Sequence, residues 1–136
     1  MSEQDESPVD AARRLLESGR RRPAVELLTA WVADYPDDAK AWATLARALF
    51  ELENWVDAEQ AAAEALRLRP NSARHWSNWG MVLRKLGDLD EAERAQYRAL
   101  ALDPTYARAR KELRKLHRLR MGDERGPEAP SELERM

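Results

Sequence analysis

Pro36, Pro70 and Pro104 stand 34 residues apart, and the same shift carries Trp42 onto Trp76. It also carries Leu15 to Leu49 to Leu83, Ala24 to Ala58 to Ala92, and Leu28 to Ala62 to Gln96. A fixed period of about 20–50 residues marks stacked supersecondary units, each too small to bury its apolar side alone. The clearest copy is Ala39 to Pro70, which recurs one period later and, more loosely, one period earlier.

The units are helical. Ala, Leu, Glu and Arg dominate a chain with a single Phe, a bias towards helix and away from sheet. The expected class is therefore all-α: three helix pairs, one per period, closed by a seventh helix. With 136 residues the chain suffices for one domain with a core. Its net charge of −2 argues against a general polyanion binder. There is no Cys, which excludes disulfides, thiolate metal sites and a Cys nucleophile. The first ten residues, MSEQDESPVD, show no secretory pattern, and no run of about 18 apolar residues exists to span a membrane. Cytoplasm is the expected compartment.

Ser7, Pro8 and Asp10 read as a helix start, and Gly19 as its stop. A second helix over about 22–34 carries Ala24, Leu27, Leu28 and Trp31 inward and ends before Pro36. In the next unit Trp42, Leu45, Ala46 and Leu49 share one helix face. Glu53-Asn54 breaks the chain, with Asn54 expected to turn it and cap the Ala-rich helix that follows. Trp76, Trp79, Gly80 and Leu83 repeat the pattern, Gly87 turns, and Asp88 with Glu91 reads as a capping box. Thr105 is expected to cap a last helix over about 106–120. There Ala109, Leu113, Leu116 and Leu119 face inward and six Arg and Lys face outward. The expected units are 5–38, 39–72, 73–106 and the capping helix 107–120, followed by an acidic tail, 121–136, without apolar period.

Trp42, Leu45, Ala46, Leu49, Ala58, Ala62, Ala65 and Pro70, then Trp76, Trp79, Gly80, Leu83, Ala92, Ala99 and Pro104, resemble the tetratricopeptide repeat (TPR) at its period of 34. The first copy departs from it. Pro8 stands where Trp is usual, and Trp31, where a small residue is usual, is read as filling the space Pro8 leaves. In the third copy Gln96 holds the usual aromatic place, with Tyr97 next to it. The resemblance implies a right-handed α-solenoid of three antiparallel helix pairs with a C-terminal capping helix, whose first helices line a concave groove, with a protein-interaction role, no enzymatic chemistry and no cofactor.

By that geometry the groove residues are Arg13, Lys40, Thr44, Arg47, Phe50, Arg74, Asn78, Met81, Arg84, Lys85, Arg108 and Lys111, with Val9, Leu16, Ala43, Ser77 and Lys115 beside them. The surface is mixed near Glu6, Asp10 and Glu17 and basic towards the C-terminus, where an acidic peptide or a C-terminal carboxylate finds donors. Phe50 and Met81 would be its apolar anchors. Chaperone-tail-binding members of the family use a two-carboxylate clamp. Its five places fall here on Val9, Arg13, Thr44, Arg74 and Asn78, and only Arg74 keeps the clamp's charge.

The remaining motifs yield less. Trp42, Trp55, Trp76 and Trp79 fall on core positions and are expected to pack rather than cage a ligand. His75 is expected to face solvent and His117 the inner side; their separation, with no Cys, argues against a metal site. No Gly-rich phosphate loop and no G-x-S-x-G is present. Nucleic acid is the second-ranked partner, disfavoured because no aromatic interrupts the basic arc of the last helix. The alternative in a different class is a self-assembling protein forming homo-oligomers through its stack ends, where Ala12, Leu15 and Trp31 are expected to lie uncapped. The acidic tail, with Asp123, Glu124, Glu128, Glu132 and Glu134, is a candidate internal competitor for the groove.

Overall fold

A computed structural model of the chain describes residues 6–122. These form α1 (Pro8–Glu17), α2 (Arg21–Asp34), α3 (Ala39–Glu51), α4 (Trp55–Leu68), α5 (Ala73–Lys85), α6 (Leu89–Leu102) and α7 (Ala107–Arg120), with no strand among them. Each helix packs on the next in sequence, and α1 also touches α3 and α5 touches α7. The result is a right-handed all-α stack of three hairpins closed by α7. The expectations for the tail, its competition for the groove included, lie outside the described residues except at Met121 and Gly122, both exposed. No helix among the described residues is long and apolar enough to cross a membrane.

The turns inside the hairpins repeat as faithfully as the helices. Gly19, Glu53 and Gly87 hold equivalent places and all have positive φ, at 79°, 60° and 86°. After α1, α3 and α5 the same pair of bonds closes the turn. Arg20, Asn54 and Asp88 N–H donate to the Leu15, Leu49 and Leu83 carbonyls at 2.8, 2.9 and 2.9 Å. Gly19, Glu53 and Gly87 N–H donate to Leu16, Phe50 and Arg84 at 3.0, 2.9 and 3.0 Å. This two-bond closure satisfies carbonyls that a helix end leaves without partners. Two expectations change here. The left-handed residue of the middle turn is Glu53, and Asn54 donates its side-chain amide to Asp57 instead of capping the backbone. Asp88 makes no side-chain cap, and Glu91 pairs with Arg94 at 2.8 Å, so the capping box is not formed.

Between hairpins, Pro36, Pro70 and Pro104 do more than end helices. The Trp42 indole donates to the Pro36 carbonyl at 2.8 Å and Trp76 to the Pro70 carbonyl at 2.7 Å. Arg110 takes the equivalent place on α7 and donates to Pro104. These tryptophans are half-buried, with the indole body packed and the N–H anchored, rather than wholly enclosed. Ser7, Asp38 and Ser72 cap α1, α3 and α5 through backbone N–H groups at 3.1, 3.1 and 3.2 Å. Tyr106 stands one period after Ser72 and offers no such acceptor, while Thr105 turns back to Asp103 instead of capping α7.

Ala24, Ala58 and Ala92 are wholly enclosed, which lets the helices approach closely. The core falls into two clusters. One runs from Val9 to Ala62 and includes Val82; the other joins Leu83 and Ala92 to Leu113 and Leu116 of α7, with Trp79 touching both. Gln96, fully buried, donates its amide to the Ser77 carbonyl at 2.9 Å in the third hairpin. At the N-terminal end, Ala12 is fully buried, and Leu15 and Trp31 pack on the first cluster rather than standing open. Trp31 stacks on Tyr35 at 4.1 Å and donates to Asp38 at 2.9 Å, which places its ring at the α2–α3 junction.

Candidate functional site

The first helix of each hairpin and α7 line one concave hollow of about 560 Å³. Its side chains arrive in rows because equivalent positions recur along the stack. One row is Arg74 on α5 and Arg108 on α7, with Lys40 of α3 continuing it into an adjoining hollow. A second row is Arg13, Arg47, Met81 and Lys115, and a third, between them, is Thr44, Asn78 and Glu112. Ala43, Ala46, Phe50 and Val82 supply apolar floor, and the Phe50 ring lies edge-on to Trp55 at 5.0 Å.

Six cations line this hollow: Arg13, Arg47, Arg74, Arg108, Lys111 and Lys115. Two carboxylates, Glu51 and Glu112, stand among them, and both are already bridged. Glu51 takes Arg21 at 3.2 Å and Arg47 at 2.9 Å. Glu112, only 2% exposed, takes Arg84 and Lys115, each at 3.0 Å. Arg108 reaches the Asn78 side-chain oxygen at 3.3 Å. Arg74 and Lys111 have no ion-pair partner among the described residues.

Of the twelve residues expected from sequence, nine line this hollow and Lys40 lines the adjoining one. Two do not. Arg84 turns into the interior to meet Glu112, with 13% of its side chain exposed, and Lys85 lies over the Trp55 ring at 5.4 Å. Three neighbours assigned to the groove are core instead: Val9, Leu16 and Ser77 are buried. Val9 therefore cannot serve the first clamp place. Thr44, at the third, is largely buried and spends its hydroxyl on the Lys40 carbonyl at 2.8 Å. Glu51 and Glu112 escaped the sequence reading. A signal for Glu112 existed: it is the one acid in α7, at the place equivalent to Thr44 and Asn78.

The adjoining hollow, about 220 Å³, shares Arg13, Ala43, Thr44 and Arg74 with the groove and adds Ala39, Lys40, Arg69, Ser72 and His75. His75 faces solvent only in part. It is half-buried, and its Nδ1 is buried with no hydrogen-bond partner. Burial, then the charges of Arg74 and Arg69, hold its imidazole below the ordinary value. His117, expected on the inner side, is exposed. Among the described residues no group of three His, Cys, Asp or Glu could hold a metal ion.

Two family models, both described as tetratricopeptide repeat, match residues 9–77 and 73–106. Among solved structures, the chain is similar to the first TPR of Spaghetti (RPAP3) bound to the HSP90 peptide SRMEEVD. Identity is 24% over 84% of this chain and 90% of that one, with a TM-score of 0.79. It is similar also to the second TPR domain of human RPAP3 in complex with the HSP70 peptide SGPTIEEVD, at 25% identity over 82% and 92%, TM-score 0.78. MamA is a further neighbour, at 21% identity over 85% and 68%, TM-score 0.79. A search of curated proteins finds no match.

Proposed function

The chain belongs to the tetratricopeptide repeat family, whose fold is a protein-interaction module, and on that premise we propose that its groove holds an acidic peptide segment of another protein. In this reading the repeats are 5–38, 39–72 and 73–106, with 107–120 as the cap.

The observation that carries the proposal is the charge balance of the hollow. Six cations converge on it, and its two carboxylates are each shared between two basic side chains. Cations held this way on rigid helices attract carboxylates and bond them with charge-assisted hydrogen bonds. Phe50 and Met81 offer contact to an apolar side chain lying between the acids. The second RPAP3 domain, at 25% identity, supports the reading, since its peptide SGPTIEEVD ends in acidic residues.

Calorimetry with SGPTIEEVD, and with the same peptide carrying Gln and Asn in place of its acids, tests the proposal. The acidic peptide is expected to bind and to weaken steeply with added salt. Equal affinity for both peptides, or none for either, overturns it.

A further inference from the structure

The smaller hollow differs in kind from the groove it opens into. Arg13, Lys40, Arg69 and Arg74 line it, and no acid does. Arg13 has Asp10 at 3.8 Å. Lys40, Arg69 and Arg74 have no ion-pair partner among the described residues. Like charges gathered around a recess repel one another, and an anion within reach of several relieves that repulsion.

The polar groups present point the same way. Ser72 Oγ accepts the His75 N–H at 3.2 Å, which leaves its own O–H to donate. His75 lines the recess as well, and its Nδ1 is buried without a partner. A carboxylate brings one charge to this set. A phosphoryl group brings a charge of about −1.5 to −2 and three strong acceptor oxygens, which three or four converging cations match better.

We propose that this hollow is a phosphoryl subsite, receiving a phosphorylated serine or threonine of the segment held in the groove. The inference rests on the peptide reading above, because Arg13, Thr44 and Arg74 belong to both hollows and a chain in one presents a side chain to the other. No Trp, Tyr or Phe lines the recess to stack a base, which favours a phosphopeptide over nucleic acid. A bound dianion would also offset the Arg74 and Arg69 charges that help keep His75 neutral.

Three acetylated and amidated peptides, Glu-Glu-Gly-X-Gly-Glu with X as serine, glutamate or phosphoserine, test it by calorimetry without a free terminal carboxylate. The phosphoserine peptide is expected to bind about tenfold more tightly than either other peptide, the effect of one or two charge-assisted bonds. The double variant Lys40→Ala with Arg69→Ala is expected to lose that preference, read as the ratio of phosphoserine to serine affinity, since both residues line the recess and neither lines the larger hollow. Equal affinity for the phosphoserine and glutamate peptides overturns the subsite and leaves the groove reading standing.

If none of the three binds, the groove reading falls. Inorganic phosphate then decides the recess alone, followed by the His75 ring resonances. A saturable shift that the double variant lacks supports the subsite, and a shift no larger than that from chloride at equal ionic strength overturns it. A 5′-phosphorylated single-stranded oligonucleotide that displaces the phosphopeptide at lower concentration overturns the assignment to peptide.

Discussion

Gly80 and Gln96 meet across the α5–α6 interface so closely that a Cβ on Gly80 would lie 2.5 Å from Gln96 Nε2. That nitrogen is held in place by its bond to the Ser77 carbonyl. The second repeat carries Ala46 and Ala62 at the equivalent places, so the third has enlarged one side of the contact and reduced the other. Gly80→Ala alone is expected to cost about 1–2 kcal/mol through overpacking, net of its better helix propensity. Gly80→Ala with Gln96→Ala should regain most of that. Urea unfolding of both single variants and the double gives the coupling; simple additivity would show the two residues are independent.

Glu53 is the one non-glycine described residue with positive φ, and its counterparts one period away are both glycine. A side chain in the left-handed region costs about 1–2 kcal/mol, part of which glycine returns in backbone entropy. Glu53→Gly should therefore raise stability by about 0.5–1 kcal/mol. A lower melting temperature would mean that the Glu53 side chain makes an unrecognised contribution.

α7 begins without the cap that Ser72 gives α5. Tyr106→Ser supplies an acceptor at that place and should add about 1 kcal/mol, read from thermal unfolding. Removing α7 altogether by ending the chain after Pro104 uncovers Leu83 and Trp79, which pack with Leu113 and Leu116. That form is expected to aggregate or to lose its cooperative transition, as stacks without terminal caps do. A soluble truncation as stable as the parent would show that α7 is no cap.

Arg74 and Lys111 are groove cations with neither an ion pair nor a side-chain hydrogen bond to another described residue, unlike Arg108, which bonds Asn78, so reversing them breaks no bridge. Arg74→Glu with Lys111→Glu should shift stability by no more than about 0.5 kcal/mol. Affinity for SGPTIEEVD should fall by about 1–3 kcal/mol, and its salt dependence with it. Unchanged binding would move the site to the convex face or the ends of the stack.

His75 links stability to pH. Its folded value lies below the ordinary 6.5, from burial first and the neighbouring Arg74 and Arg69 charges second. The fold thus favours the neutral ring, and the unfolded chain takes up the proton more readily. Stability from this residue is present above pH 6.5 and is lost as pH falls through the folded value. Unfolding midpoints at pH 7.5 and 5 should differ less in His75→Gln than in the parent.

Much of the fold was legible because it is local and repeated. The period of 34 located every hairpin, and Gly19, Gly87 and the three prolines marked where helices stop. The misses within the hairpin turns have one character. Asn54 and Asp88 carry the right side chains for caps but make other bonds, and Glu53 holds a conformation its type disfavours. In each, the turn geometry shared by the three hairpins overrode the preference of the residue.

The groove divides along the same line. Periodicity placed Arg13, Arg47, Arg74 and Arg108 on one side of the stack, since a repeated helix returns equivalent positions to one face. Whether a residue on that face is open, bridged or enclosed depends on the helix packed against it, from another hairpin. That is why Arg84 turned inward to Glu112 from 28 residues away, why Val9 and Ser77 joined the core, and why Nδ1 of the half-buried His75 is enclosed. The sequence by itself determined the repeat, the turns and the sign of the concave face. Tertiary packing alone decided which of its charges remain uncompensated, because burial and pairing are set by neighbours a full repeat apart.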